Sequence, residues 1–252
     1  MLKTRVIPTL LYKDFGLVKG VRFDSRRAVG SAMQAIKVYN LRQVDELVFF
    51  DVTATLRGAP PDYELIDDLA DDCFMPLTVG GGVRTVEHVA KLLSVGADRV
   101  CLGTAAVETP ELVREAQTSF GIQCIVVSVD VHRAEDGTVE VRSHSGTKST
   151  GIDPVEFARQ MEDLGAGELI VQSVDRDGTM TGYDVGLVRS IAGAVTVPVV
   201  ASGGCETYED MAVVVLEGGA SAVAAASIFH YTEQTPLEAK QYMHDRGIPT
   251  RK

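Results

Sequence analysis

The sequence has little positive charge and no segment that concentrates it. It contains 24 lysines and arginines against 35 aspartates and glutamates, which gives a formal net charge of −11. Surfaces that bind nucleic acid or anionic membranes depend on clustered Lys and Arg. The composition therefore argues against nucleic-acid and membrane partners, and it favours a small molecule or a protein.

Long apolar runs and paired cysteines are absent as well. No stretch approaches the ~20 residues needed to span a bilayer, and the first residues lack the apolar core of a signal peptide. Cys73, Cys101, Cys124 and Cys205 are widely spaced, with no CxxC pair and no nearby His cluster of the kind that zinc uses. We expect four buried, reduced thiols, no metal, and a cytoplasmic protein.

Short apolar runs alternate throughout with longer segments of helical period. This alternation is typical of a parallel sheet built from βα units. The eight runs are residues 5–11, 46–51, 76–80, 99–103, 123–130, 168–173, 198–202 and 222–226. Predicted helices follow them, for example at residues 85–95, 110–120, 154–164 and 207–217. The pattern predicts a (β/α)8 TIM barrel that forms one domain over residues 1–252.

The two halves of the chain resemble each other. MPLTVGGGVRTVEHVAKLLSVGADRV aligns with VPVVASGGCETYEDMAVVVLEGGASAV, and DELVFFDVTAT aligns with GELIVQSVDRD, so that Glu46 matches Glu168. The matches keep the same order along the chain, which favours duplicated half-barrels over chance. In such a barrel the chemistry belongs at the C-terminal ends of the strands, and the opposite end is usually structural.

Glycine-rich turns follow the third and seventh predicted strands. Glycine lets the backbone approach an anion closely, and N–H groups at the start of the following helix supply donors. The end of the next strand adds a hydroxyl in each half. The residues concerned are Gly81, Gly82, Gly103 and Thr104 in the first half and Gly203, Gly204, Ala226 and Ser227 in the second. One such turn is an ordinary βα turn, but two matched copies predict a substrate with a phosphate at each end.

Carboxylates lie at or just after the ends of three predicted strands. Asp51 and Asp130 end the second and fifth strands, and Asp177, followed by Gly178, comes after the sixth. A carboxylate at this position can take or give a proton, especially where burial raises its pKa. The alternative is an aspartate that caps a loop or pairs with a nearby arginine. Leu11 ends the first strand where Asp130 ends the fifth, so one of two expected acids is missing.

A polar loop holding Lys13, Asp14 and Lys19 is predicted after the first strand. It lies at the same end of the barrel as the carboxylates, where a loop can close over a substrate.

Four charged residues stand where strands begin, at the N-terminal mouth of the barrel. They are Arg5, Glu46, Arg99 and Glu168. Two cations and two anions can form a closed ring of ion pairs, in which every buried charge is paired. By itself this pattern also fits a plug that only stabilises the bottom of the barrel.

Taken together, the motifs resemble HisF, the cyclase subunit of imidazole glycerol phosphate synthase. The matching stretches include DELVFFDVTAT, PLTVGGGVR, GIQCIVVSVD, SGTKSTG, GAGELIVQSVDRDGTMTGYD, VVASGG and AAASIFH. The resemblance implies a HisH-type glutaminase on the N-terminal face, whose ammonia passes a charged gate. Arg5, Glu46 and Glu168 match the gate residues, Arg99 replaces a lysine there, and Asp98 matches a residue that faces the glutaminase.

The resemblance also implies a lyase-type reaction at the other face, with no cofactor. A ribulosyl aminoimidazole carboxamide bisphosphate and ammonia give imidazole glycerol phosphate and an aminoimidazole carboxamide ribotide. Of the two aspartates that serve as acid and base, Asp130 matches one and Leu11 replaces the other. Thr9, Gly103 and Gln172 also depart from the family pattern. Matching substrate positions are Lys19, Asp51, Thr104, Ser145, Asp177 and Ser202.

The LL ending of the first strand and the GLVK that follows resemble a HisF-like paralogue of surface-glycan pathways. Such proteins work with a glutaminase and a separate sugar amidotransferase to install acetamidino groups. We therefore favour an ammonia-handling paralogue. The alternatives are an authentic cyclase, in which water or another group replaces the missing acid, and a docking and ammonia-channelling scaffold without chemistry of its own.

Overall fold

A computed structural model describes residues 3–14 and 16–251, except for the side chains of Ser25 and Arg26. The described residues form twelve strands: β1 (Arg5–Lys13), β2 (Gly16–Val21), β3 (Asp24–Gly30), β4 (Leu47–Asp51), β5 (Leu77–Gly80), β6 (Arg99–Leu102), β7 (Ile125–Arg133), β8 (Val139–Ser143), β9 (Lys148–Ser149), β10 (Glu168–Ser173), β11 (Val199–Ser202) and β12 (Ala222–Ala225). Eight of them pair in parallel in the closed order β1-β4-β5-β6-β7-β10-β11-β12, with β12 returning to β1. This confirms the predicted (β/α)8 TIM barrel.

Helices surround the barrel. They are α1 (Ala32–Leu41), α2 (Ala54–Arg57), α3 (Tyr63–Asp71), α4 (Val86–Ser94), α5 (Thr104–Glu108), α6 (Glu111–Phe120), α7 (Pro154–Asp163), α8 (Val185–Ala192), α9 (Tyr208–Leu216), α10 (Ser227–Tyr231) and α11 (Pro236–Asp245). Side-chain caps fix where several begin; Thr85 and Thr207 cap α4 and α9 at matching positions of the two halves. Within the described part of the chain, no helix has the length and apolar character to cross a membrane.

Successive side chains of each barrel strand point to opposite faces, so the core has an outer part beneath the helices and an inner part within the barrel. Outward side chains such as Val6, Leu10 and Phe49 pack beneath the helices. Inward side chains fill the middle of the barrel; these are Ile7, Val48, Cys101, Val126, Ile170, Val200, Ala222 and Ala224. Of the four cysteines predicted to be buried, Cys101 and Cys205 are buried, whereas Cys73 and Cys124 are only half-buried because they lie in connections at the edge of the core.

Two antiparallel hairpins extend the barrel strands at its C-terminal end. The prediction of an open polar loop after the first strand is wrong, because β1 continues to Lys13 and pairs with β2, which in turn pairs with β3. Residues 17–20 of β2 are buried, including Lys19. The fifth predicted strand also ends too early, since β7 runs on to Arg133 and pairs with β8. A change from apolar to polar residues marks the end of the barrel wall here, but not the end of the strand.

Candidate functional site

The C-terminal end of the barrel encloses a cavity of about 200 Å³. All the residues predicted for the catalytic face line it: Leu11, Lys19, Asp51, Gly81, Gly82, Thr104, Asp130, Ser145, Asp177, Gly178, Ser202, Gly203, Gly204, Ala226 and Ser227. Residues that the sequence analysis did not single out, notably Phe50 and Ser128, line it as well. No group of three or more His, Cys, Asp or Glu among the described residues is placed to hold a metal ion.

Two opposite walls of the cavity differ in polarity. Leu11 of β1 lies beside Phe50 of β4, and across the barrel Asp130 of β7 lies beside Gln172 of β10. Phe50 and Gln172 are equivalent in the repeat that aligns Glu46 with Glu168. The strand register therefore places Leu11 at the position equivalent to Asp130, and an apolar pair faces a polar pair.

Asp130 is the acid of the polar wall. The Ser128 hydroxyl donates a hydrogen bond of 2.6 Å to its carboxylate. Burial raises the pKa of Asp130 to about 6, and the negative charge of Asp177 acts in the same direction, whereas the Ser128 hydrogen bond opposes it. Arg133 is not its partner, because that guanidinium pairs with Asp184. A carboxyl group with this pKa can both accept and donate a proton near neutral pH.

Asp177 holds the β2–β3 hairpin over the cavity. Its carboxylate lies 2.8 Å from the Lys19 ammonium, and both side chains are buried. Its carbonyl accepts the Arg22 N–H at 2.8 Å. Gly178 lies so close to the hairpin that a Cβ atom there would be 2.0 Å from the Gly20 carbonyl oxygen. Lys19 therefore belongs to a docked strand rather than to a mobile loop.

The glycine-rich turns form two sites that we call cradles. The first cradle comprises Gly81, Gly82, Gly103 and Thr104, and the second comprises Gly203, Gly204, Ala226 and Ser227. Gly81 and Gly203 have φ of 109° and 88°. A Cβ atom would lie 2.3 Å from the Asp51 carbonyl oxygen in the first case and 2.6 Å from that of Ser173 in the second. The backbone of these turns thus requires glycine at both positions, whether or not a phosphate binds.

Hydroxyl groups differ between the cradles. Thr104 Oγ1 in the first cradle accepts the His144 N–H at 2.8 Å. Ser227 Oγ in the second is buried and has no hydrogen-bond partner among residues 3–14 and 16–251.

Two further candidates take part in local structure. Asp51 Oδ1 accepts the Thr53 N–H at 2.8 Å and the Ala54 N–H at 3.0 Å. Asp51 therefore caps the turn into α2 and also lines the cavity. Ser145 Oγ donates to the Val52 carbonyl at 3.1 Å, so it ties the β8–β9 turn to the same loop.

At the opposite mouth the four charged residues form a closed ring. Arg5 pairs with Glu46 at 2.6 Å and also with Glu168. Arg99 completes the ring at 3.3 Å from Glu46 and 3.0 Å from Glu168. The Thr78 hydroxyl donates a further hydrogen bond to Glu46 at 2.9 Å. Every charge in the ring therefore has an opposite partner, which is the condition for burying it.

The face around the ring carries exposed polar and apolar groups. Asp98 is exposed and accepts the Leu77 N–H at 2.8 Å. Leu41, the last residue of α1, and Phe74, in the connection that leads into β5, are 85% and 84% exposed.

Sequence reasoning missed Ser128 although a signal was present. Ser128 lies two residues before Asp130, so strand alternation puts both on the same inward face. The same alternation puts Phe50 on the inward face, two residues after Val48, and its ring packs across Gly80 of the neighbouring strand.

The family model described as "Histidine biosynthesis protein" matches residues 5–235. The matched segment contains all eight barrel strands, both cradles and the ring of ion pairs.

Proposed function

The chain belongs to the histidine biosynthesis protein family, and on that premise we propose that it is a HisF-type subunit of a glutamine-dependent synthase. A HisH-type glutaminase docks on the face that carries Asp98, and its ammonia enters at the ring and reaches the cavity. The observation that carries this proposal is the ring of Arg5, Glu46, Arg99 and Glu168 directly below an acid-bearing cavity.

The ring is suited to act as a gate because its members are held unequally. The Arg5 side chain is 13% exposed, whereas that of Arg99 is 29% exposed and makes longer contacts with both glutamates. Displacing Arg99 leaves Glu46 and Glu168 still paired with Arg5. We expect Arg99 to be the member that moves when ammonia enters.

The barrel interior above the ring favours neutral ammonia over ammonium. Its side chains are mostly apolar, including Ile7, Val48 and Ile170. A desolvated cation without a partner is strongly disfavoured in such surroundings, whereas a small neutral molecule is not. Passage in the neutral form delivers a nucleophile to the floor of the cavity.

Loss of the strand-one acid favours a paralogue over a cyclase. The two-acid mechanism needs carboxylates on both walls, and Leu11 occupies one of those positions. In this proposal the barrel binds a phosphorylated small molecule and supports amidino-sugar formation in surface-glycan biosynthesis. A separate sugar amidotransferase then completes the modification.

An authentic cyclase is the second candidate, and the state of Asp130 favours it. A pKa of about 6 suits proton transfer near neutral pH. Water or another group would then replace the missing acid. Without a second positioned acid, turnover is expected to be lower by about 10²-fold or more.

Glutaminase coupling tests the proposal. Adding the protein to a HisH-type glutaminase should yield a complex on size-exclusion chromatography and increase glutamate release from glutamine. In that complex, Glu46→Ala or Glu168→Ala should lower the aminated product formed per glutamate released, but not the product formed from ammonium salt.

The exposed acid Glu233, at the other end of the barrel, provides the control variant Glu233→Ala. Failure to form a complex or to stimulate glutamate release would overturn the proposal. If the product formed per glutamate released is unchanged in both Glu46→Ala and Glu168→Ala, the ring has only a structural role.

A further inference from the structure

We propose that a buried ion pair outside the ring, between Asp45 and Lys240, holds one side of the ring in place. Asp45 acts as a positioning residue for its neighbour Glu46 and for Arg5. The two members of the pair are only 5% and 3% exposed. This inference rests on the proposed function, since it concerns the same gate, and it identifies what keeps one side of the gate fixed while Arg99 moves.

Asp45 joins the starts of two neighbouring barrel strands. Its Oδ2 atom accepts the Val6 N–H at 3.1 Å. Val6 follows Arg5 in β1, and Asp45 precedes Glu46, which leads into β4. The two strands pair with each other in the barrel wall. This hydrogen bond therefore fixes, relative to each other, the two backbone segments that carry Arg5 and Glu46.

Lys240 of α11 holds the Asp45 carboxylate in its orientation. Lys240 Nζ lies 3.3 Å from Asp45 Oδ1 and donates to the Gln43 carbonyl at 3.0 Å. One carboxylate oxygen thus faces the ammonium and the other accepts the Val6 N–H. Rotating the carboxylate would leave buried polar groups without partners, which is costly.

The segment that follows α11 contacts the same corner of the barrel. Thr250 Oγ1 donates to the Lys240 carbonyl at 3.1 Å. Thr250 also forms a parallel bridge with Thr4, whose N–H donates to the Pro249 carbonyl at 2.7 Å. Thr4 directly precedes Arg5. The C-terminal helix and the residues after it therefore contact the starts of both β1 and β4.

The other half of the barrel does without this ion pair. Glu168 is the equivalent of Glu46 in the repeat, and Gly167 precedes it in the place of Asp45. A Cβ atom at Gly167 would lie 2.0 Å from the Ile122 carbonyl oxygen, so a side chain cannot be accommodated there. A half-barrel can therefore form this corner without a carboxylate, and the ion pair makes the two sides of the ring unequal.

Arg99, the other cation of the ring, has a weaker anchor. Asp98 precedes it and accepts the Leu77 N–H at 2.8 Å. Asp98 is exposed, however, and forms no ion pair with a lysine or arginine in the part of the chain that the structure describes. The ring itself shows the same difference, since the Arg5 side chain is 13% exposed and that of Arg99 is 29% exposed.

Two double variants test the inference, because removing one charge alone would leave the other buried without a partner. Asp45→Leu/Lys240→Met removes both charges and the acceptor for the Val6 N–H. Asp45→Asn/Lys240→Gln also removes both charges but keeps an amide oxygen for that N–H. Tyr242→Phe is the control, since it removes a 2.8 Å hydrogen bond from α11 to Glu209 and none of the contacts of Asp45.

NMR of the protein alone, labelled with ¹⁵N-arginine, measures how firmly each cation of the ring is held. In the wild type we expect the Arg5 guanidinium to rotate more slowly than that of Arg99. Asp45→Leu/Lys240→Met should make the Arg5 guanidinium rotate about fivefold faster, the factor expected for loss of one hydrogen bond. Asp45→Asn/Lys240→Gln and Tyr242→Phe should leave its rotation within about twofold of wild type. Equal rotation rates for Arg5 and Arg99 in the wild type would overturn the inference, whether or not any variant folds.

Coupling in the glutaminase complex provides the second readout. Asp45→Leu/Lys240→Met should lower the aminated product formed per glutamate released, but not the product formed from ammonium salt. Asp45→Asn/Lys240→Gln should keep the wild-type ratio. A loss of both kinds of product would show a merely structural role, and equal ratios in the two double variants would show that the Val6 hydrogen bond is not what holds the ring. Either result would overturn the inference.

These outcomes are distinguishable from failure of the proposed function. If Arg5 is held and released as described but the wild type shows no glutaminase coupling, the proposed function alone is refuted. If the wild type is coupled and both double variants remain equally coupled, this inference alone is refuted.

Discussion

At the scale of single residues, the cavity is defined by the contrast between Asp130 and Leu11. Both occupy the same position in their half-barrels, yet only one can carry a proton. The Ser128 hydrogen bond favours the ionised form of Asp130, whereas burial and the charge of Asp177 favour the neutral form. Burial dominates this balance, and it makes the protonation of Asp130 sensitive to pH near 6.

Stability should therefore depend on the Asp130 proton. The native pKa of about 6 exceeds the ~3.9 of an unfolded aspartate, so the native state alone holds the proton between those values. The stabilisation by this proton is fully present below about pH 4 and is lost as the pH rises through 6. Asp130→Asn lacks this titration, so its unfolding free energy should rise relative to that of wild type by roughly 2 kcal/mol when the pH is raised from 4 to 8, as measured by urea titration.

Two further variants check the cause of this effect. Ser128→Ala should move the midpoint of the stability change to higher pH, since the hydrogen bond that lowers the pKa is lost. Asp67→Asn, at an exposed position of α3, serves as the control. Parallel pH profiles for wild type and Asp130→Asn would show that Asp130 titrates as it does in the unfolded chain.

At the scale of elements, the β2–β3 hairpin decides whether the cavity is covered. Its two-residue turn places Arg22 and Phe23 at φ of 53° and 64°, a region that non-glycine residues adopt at a cost of about 1 kcal/mol each. Contacts with the loop after β10 offset that strain. They are the Lys19–Asp177 ion pair, the Arg22 hydrogen bond and the approach of Gly178 to Gly20.

Gly178→Ala should undock this hairpin. The new Cβ atom would lie 2.0 Å from the Gly20 carbonyl oxygen, at φ of 71°. Gly137→Ala is the matched control, because φ is 87° there but no atom lies within 4 Å. We expect a loss of about 1 kcal/mol for the control and more than ~2 kcal/mol for Gly178→Ala. Hydrogen exchange at residues 16–21 should accelerate only in Gly178→Ala; equal exchange in the two variants would contradict this.

At the scale of the whole molecule, the barrel could be predicted because every wall strand is a short apolar run and the halves repeat. The β2–β3 hairpin could not be predicted, because the residues around Lys19 are typical of a polar loop. Lys19 is buried only through its ion pair with Asp177, which lies 158 residues away in the sequence. Likewise, the capping hydrogen bonds of Asp51 could not be predicted, because they depend on the turn that follows it. The ring was predictable, since charges at four strand starts must meet at one mouth of a closed barrel.

The function of the whole molecule depends on how many acids face the cavity. The direct measurement is the rate at which imidazole glycerol phosphate forms from the ribulosyl aminoimidazole carboxamide bisphosphate and ammonium salt, in wild type and in Leu11→Asp. With one acid, wild type should turn over at least about 10²-fold more slowly than a two-acid site. Leu11→Asp should gain activity; no gain would implicate Gly103 and Gln172 as well. Rapid product formation by the wild type, equal to or faster than that of Leu11→Asp, would contradict the account.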